Sequence, residues 1–248
     1  LKYPIFDNGT LYEVDVPDIH FGRLTWNEES GEDYDVKLAG KVVNDGIEKL
    51  LFYVSSMKIS KILLPIGNDF FNVNSKTNTT VRGTPQQEDT RWQKTFRLGL
   101  QLARQMIDKC FALAPVDVLI VQGNHDAEKT FYLGEALNCW YHNNENVKID
   151  NRAMSRKYYQ FEKNMIGFTH GSEEKIEKLP IIMALESPVL WGKTSHRELH
   201  LGDKHHKKDF FVKSNHGSGV MIRILRSLTS ADAWTFDKGF GGLRAAES

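Results

Sequence analysis

Carboxylate, imidazole and amide side chains recur in five short stretches of this sequence, at spacings that suit divalent-cation chemistry. The first is Asp18-Ile19-His20 and the second Gly67-Asn68-Asp69-Phe70-Phe71-Asn72. Gly123-Asn124-His125-Asp126 is the third, Thr169-His170-Gly171 the fourth, and His200-Leu201-Gly202-Asp203-Lys204-His205 the fifth. Oxygen and imidazole donors match borderline-to-hard ions such as Mn²⁺, Fe²⁺ or Zn²⁺, and one carboxylate can bridge two ions. Glycine beside such donors lets the chain turn sharply and brings backbone close to a bound group. Each stretch alone has an ordinary reading. Asp-x-His is commonly a turn, Gly-Asn opens turns, and a lone His170 is more often a satisfied histidine. His205 before His206-Lys207-Lys208 reads equally as a solvated basic face. Five such stretches, each following a strand-like run, point together to a metal site.

The elements between them fit that purpose. Leu11–Val16 alternates as a strand and is stopped by Pro17. Between Tyr34 and Met57, Val36, Ala39, Val43, Ile47, Leu50, Leu51 and Val54 recur three or four apart, the pattern of one apolar helix face. Lys61–Ile66 is a short apolar strand running into Gly67. A polar loop, Val73–Asp89, precedes a helix from Thr90 that ends before Pro115. Val116–Val121 is the clearest buried strand and runs into Gly123; a helix over Glu128–Tyr141 follows. The second half is strand-rich, at Lys157–Glu162, Met165–Thr169, Glu198–Leu201, Asp209–Val212 and Val220–Ile224, with one helix near Leu179–Glu186. Strand and helix alternating, then mostly strands, predicts an α/β fold with a mixed or doubled sheet. Loops beyond the strand ends of such sheets gather on one edge, where ligands bind.

Composition bounds the reading. The chain has 248 residues with 32 basic and 32 acidic side chains. The zero net charge excludes a globally basic nucleic-acid footprint, though not a local one. One domain over 1–248 is the expected count, and a start at Leu1 rather than Met suggests a piece of a longer chain. No apolar run approaches the ~18 residues of a membrane helix, and the start lacks the charged-then-apolar order of a secretory signal. Two cysteines, Cys110 and Cys139, make no disulfide framework, so a reducing cytoplasmic setting is expected.

From Asp18 to His205 these motifs resemble the calcineurin-like metallophosphoesterases, whose pattern is Asp-x-His, Gly-Asp with a nearby Asp or Asn, Gly-Asn-His-Asp/Glu, an isolated His, and Gly-His-x-His. The tail, with Arg226-Ser227-Leu228 and Ala231-Asp232-Ala233-Trp234, resembles phage and prophage members. The resemblance implies a four-layer αββα sandwich of two mixed β-sheets flanked by helices. It implies two divalent ions, Mn²⁺ first with Fe²⁺, Zn²⁺ or Ni²⁺ as alternatives. Asp18, His20 and His205 would hold one ion, Asn124 and His170 the other, and Asp69 would bridge them. His125 would face substrate as the catalytic acid, and Asp126 would orient His125 or brace its loop. Two departures stand out. Asn68 separates Gly67 from Asp69 as a local bulge. Asp203 occupies the place of the first His of the last motif, as a carboxylate ligand or at the cost of a weakly held second ion; His200 is a lesser substitute. Asn72, Arg82 and Lys204 are candidate substrate-binding residues. The expected activity is phosphoester hydrolysis, leaning towards a phosphodiesterase or nuclease on DNA or RNA through the cluster Lys204–Lys208. A phosphomonoesterase and a metal- or phosphate-binding module without turnover are the alternatives. No membrane partner is expected.

Overall fold

Alternating burial along the strands sorts the chain into layers. The structure, a computed structural model, describes Tyr3 and residues 9–203, 208–213, 219–229 and 245–248. Strands β1 (Thr10–Glu13), β2 (Ile59–Gly67), β3 (Val116–Val121) and β4 (Val147–Asp150) lie side by side in that order. All three pairings are parallel. Residues along a strand take opposite faces in turn. Ile62, Leu64 and Ile66 of β2, with Val116, Val118 and Ile120 of β3, face a core shared with helices. Leu63, Leu119 and Val121 face the other way and pack on Phe168. Burial on both faces explains the unbroken apolar run of β2, as expected for a parallel sheet.

Phe168 belongs to a second sheet. Its order is β5 (Lys157–Phe161), β6 (Asn164–Thr169), β7 (His196–Leu201), β9 (Gly219–Ile224) and β8 (Lys208–Lys213). This sheet is mixed: β6–β7 and β7–β9 are parallel, while β5–β6 and β8–β9 are antiparallel. Leu199, Leu201, Val220 and Ile222 point away from the first sheet, onto Leu179 and Met183 of helix α5 (Leu179–Glu186).

Three long helices cover the outer face of the first sheet. Helix α2 (Val36–Tyr53) starts at Asp35, whose carboxylate accepts from the Lys37 and Leu38 amides at 2.8 and 2.7 Å. Such a cap satisfies two of the amides a helix start leaves without partners. It buries Ala39, Val43 and Ile47, while α3 (Trp92–Phe111) buries Leu102, Ala103, Met106, Ile107 and Cys110. Helix α4 (Ala127–Tyr141) adds Leu133, Leu137 and Tyr141. The layers therefore run helix, sheet, sheet, helix, as expected, with the first sheet parallel rather than mixed. The short elements α1 (Asn27–Ser30), β4 and α6 (Pro188–Lys193) carry too few periodic residues to be seen in sequence. The first strand stops at Glu13, because beyond it Asp15 pairs with Glu247 near the chain's end instead of following β2. Cys110 and Cys139 are both free thiols. Among the described residues no helix is long and apolar enough to cross a membrane.

Candidate metal centre

The loops after β1 and β2 are laced together by their backbones. The Asp18 amide donates to the Asn68 carbonyl at 2.7 Å, His20 to Asp69 at 2.9 Å and Phe21 to Phe70 at 2.7 Å. These bonds carry the parallel pairing past the strand ends. Ile19, Phe21, Phe70 and Phe71 anchor the lacing from below, each buried. The side chains between the anchors, Asp18, His20 and Asp69, are thereby turned to one place. Asn68, the extra residue of its loop, donates its amide to the Val121 carbonyl at 2.7 Å and so ties the β2 loop to the end of β3.

This geometry is strained. Asp18, His20, Asn68, Asp69 and Asp203 all have positive φ, between 47° and 61°. Such backbone is uncommon for residues with a Cβ and gathers where function over-determines it. Glycine makes room alongside. A Cβ on Gly67, at φ 129°, would lie 1.8 Å from the Val121 carbonyl oxygen, and one on Gly123 would lie 1.9 Å from Asp69 Oδ1.

Asp18, Asp69 and His170 each bring one donor atom within 4.8 Å of the other two. All three residues are buried. His170 Nε2 lies 2.6 Å from Asn124 Oδ1, 3.2 Å from Asp69 Oδ2 and 3.6 Å from Asp203 Oδ1. His170 Nδ1 is 3.9 Å from Asp18 Oδ1 and makes no hydrogen bond. The Asp203 amide donates to Asp18 Oδ1 at 3.2 Å, and Ser227 Oγ donates to the Asp18 carbonyl at 2.7 Å. A second group with the same closeness is His20, Asp69 and His125, so Asp69 is common to both. The His20 and His125 rings meet edge to face at 4.6 Å.

Electrostatics give this cluster a need for positive charge. Burial, with Asp69 beside it, pushes the Asp18 carboxyl up to about 8 despite the pull of His170. Burial also opposes a charged His170, but Asp69, Asp18 and Asp203 outweigh it and raise the imidazole to about 10. Burial likewise works against the Asp69 carboxylate, yet His170, His125 and the His125 amide hold it below its usual value. The Asp18 and His170 shifts both favour a proton at neutral pH, which would supply the positive charge a divalent cation would otherwise bring. Buried carboxylates at this spacing, an amide oxygen and a buried imidazole nitrogen without a hydrogen bond form a donor set that fits such an ion.

His125 sits at the rim of this cluster, its amide on Asp69 Oδ1 at 2.7 Å and its Nδ1 2.8 Å from the Asn72 carbonyl. A carbonyl only accepts, so Nδ1 carries a proton and Nε2 is the nitrogen left for proton transfer or ligation. Asp126 is fully buried, and burial plus Asp69 raises its carboxyl to about 7. Its Oδ2 accepts from the Phe71 amide at 2.7 Å and Thr130 Oγ1 at 2.5 Å. Of the two roles expected for Asp126, these bonds serve the bracing of the loop.

The other expected residues are placed as follows. Asn72 is fully buried, and its side chain is spent inward: Oδ1 accepts from Arg23 Nε at 3.2 Å, and Nδ2 donates to the Gln87 carbonyl and Glu88 Oε1. Its backbone carbonyl, rather than the amide expected to meet substrate, is what reaches the site. Arg82 is exposed and pairs with Glu173 at 2.6 Å. Lys204 and His205 lie outside the described residues, as do Ala231–Trp234.

A third group, with two of its three residues buried, carries no signal in the sequence. Glu13, Asp15 and His200 bring donor atoms within 4.8 Å of one another between the two sheets. His200 Nδ1 bonds Glu13, and its Nε2 lies 3.3 Å from Glu198 Oε2. In sequence, Glu13 and Asp15 alternate with Tyr12, Val14 and Val16 and look like a solvent face. The second sheet covers that face. His200 therefore belongs to this inter-sheet network, which answers its suggested use as a substitute ligand.

No family model matches the sequence, and no curated protein matches it. Among solved structures the chain is similar to a double mutant of Vps29 from Entamoeba histolytica. The identity is 13% and the TM-score 0.30, over 79% of this chain and 67% of that one.

Proposed function

We propose that the chain is a metal-dependent phosphoesterase that hydrolyses phosphodiesters, nucleic acid among them, with two divalent ions, Mn²⁺ first. The observation that carries the reading is the convergence of Asp18, Asp69 and His170, from the ends of three different strands, with donor atoms within 4.8 Å. Asp69 belongs to both groupings and is the natural bridge. The resemblance would give Asp18 and His20 one ion and Asn124, His170 and Asp203 the other, while the donor atoms themselves group Asp18 with His170 and His20 with His125 around Asp69. Ions bound there would neutralise phosphoryl oxygens and make hydroxide available for in-line attack.

The chain's own residues supply the rest. His125 donates a proton from Nε2 to the leaving oxygen, its ring fixed by the Asn72 carbonyl through Nδ1. Asp126 keeps that loop in register by holding the Phe71 amide. The laced loops fix the donors before substrate arrives, so little reorganisation is needed when charge develops. The preference for a diester rests on the sequence's basic run Lys204–Lys208.

Hydrolysis of bis-p-nitrophenyl phosphate with and without added Mn²⁺ tests the reading. Mn²⁺-dependent turnover that chelator removes is expected. Tight metal binding without turnover on diester or monoester would mark the site as a binding module instead.

A further inference from the structure

We propose that Arg82 and Glu173 form an exchangeable latch across the edge of the metal centre, and that Arg82 leaves Glu173 to grip the phosphoryl oxygens of substrate. The inference rests on the phosphoester reading above and assigns a substrate-recognition residue to it. It is carried by a closed circuit of contacts. The Val81 amide donates to the Asn124 carbonyl at 3.1 Å, and Asn124 Oδ1 lies 2.6 Å from His170 Nε2. Three residues past His170, Glu173 accepts from Arg82 Nη2 at 2.6 and 2.7 Å. Arg82 follows Val81, so the circuit closes. Three residues span at most ~11 Å, which keeps the pair beside the centre.

The loop is built to hold Arg82 at its tip. Thr79 and Pro85 form an antiparallel bridge, the Thr80 amide donates to the Thr84 carbonyl at 2.9 Å, and Gly83 turns the chain at φ 86°. Asn74 ties the loop's base to helix α4 through the Glu128 amide at 2.8 Å. On the other side, Glu174 is held by Arg156 at 2.6 Å. Both arms of the latch are thus fixed, while its two side chains are 69% and 62% exposed.

An exposed ion pair of this kind contributes little to stability. A guanidinium on phosphoryl oxygens makes stronger, charge-assisted bonds. Glu173 offers two carboxylate oxygens to one guanidinium nitrogen, much as a phosphoryl group would. It acts as a stand-in anion that competes with substrate.

The two arms then have opposite effects, which a bracing role would not give. With Mn²⁺ and bis-p-nitrophenyl phosphate, Arg82→Ala is expected to raise KM ~10-fold with kcat within ~2-fold, and Arg82→Lys to fall between. Glu173→Gln is expected to lower KM ~3-fold by removing the competitor. Calorimetric binding of inorganic phosphate to the Mn²⁺-loaded protein should follow the same order, and melting temperatures should stay unchanged. Unchanged KM and phosphate affinity in Arg82→Ala overturns the latch. So does a rise in KM in Glu173→Gln equal to that in Arg82→Ala, since the pair would then only brace the loops. A wild-type protein that neither turns over the diester nor binds phosphate overturns the reading of the centre, and the latch with it.

Discussion

Metal binding to this centre should expel nearly two protons at neutral pH. The magnitude follows from the two groups that buried like charge drives towards protonation. Asp18 is pushed up to about 8 by burial and by Asp69, and His170 up to about 10, its neighbouring carboxylates outweighing burial. At pH 7 such a carboxyl is roughly nine-tenths protonated and such an imidazole almost wholly so. Asp69 is held below its usual value and brings no proton to displace. A divalent ion takes carboxylates and neutral imidazole, so saturation releases ~2 protons, and apparent affinity rises by nearly two powers of ten per pH unit near neutrality. Titration calorimetry with Mn²⁺ in buffers of different ionisation enthalpy reads the proton count directly. His170→Asn should remove about one proton from it. A heat independent of buffer, or proton uptake, would refute the electrostatic argument for a cation at this place.

Other expectations follow from named contacts. Asp69→Ala should abolish metal binding and diester hydrolysis together, because one carboxylate serves both donor groups. His125→Ala should lower turnover ~10²- to 10⁴-fold while metal content, measured by elemental analysis, stays at the wild-type level. Gly123→Ala should cost metal affinity, read by calorimetry, because its Cβ would meet Asp69 Oδ1 at 1.9 Å. His200→Leu should destabilise the protein by ~3–5 kcal/mol in urea unfolding, since Glu13 and Glu198 would lose their buried partner. Burial opposes the His200 charge, but Glu13 outweighs it and raises the ring to about 10. The stability from this histidine is therefore full below its unfolded pKa near ~6.5 and is lost as pH rises through about 10. In metal-saturated protein that alkaline loss should be present in wild type and missing in His200→Leu.

Local pattern made most of the layers legible. Val118–Val121 is apolar without a break because both faces of the strand are covered, and the strand's bounds in the structure, Val116–Val121, are those read from sequence. Helix α4 likewise ends at Tyr141, where the sequence reading places its end. The convergence of Asp18, Asp69 and His170 follows from donors placed after strands of adjoining sheets. What periodicity cannot report is which strand face another sheet will cover. Glu13 and His200 are charged residues at alternating positions, and only long-range packing buries them together. Asn72 shows the same limit at a single residue: its type suggests a donor to substrate, but three inward partners absorb its amide. The left-handed backbone at Asp18, His20 and Asp69 has no glycine to announce it, because the lacing between two distant loops imposes it.

Anomalous diffraction from a Mn²⁺-soaked crystal tests the central claim most directly. The account predicts manganese beside Asp69, with its other ligands drawn from Asp18, His20, Asn124 and His170. Manganese found only elsewhere, for instance at Glu13, Asp15 and His200, with Asp69 bonded to protein alone, would contradict it.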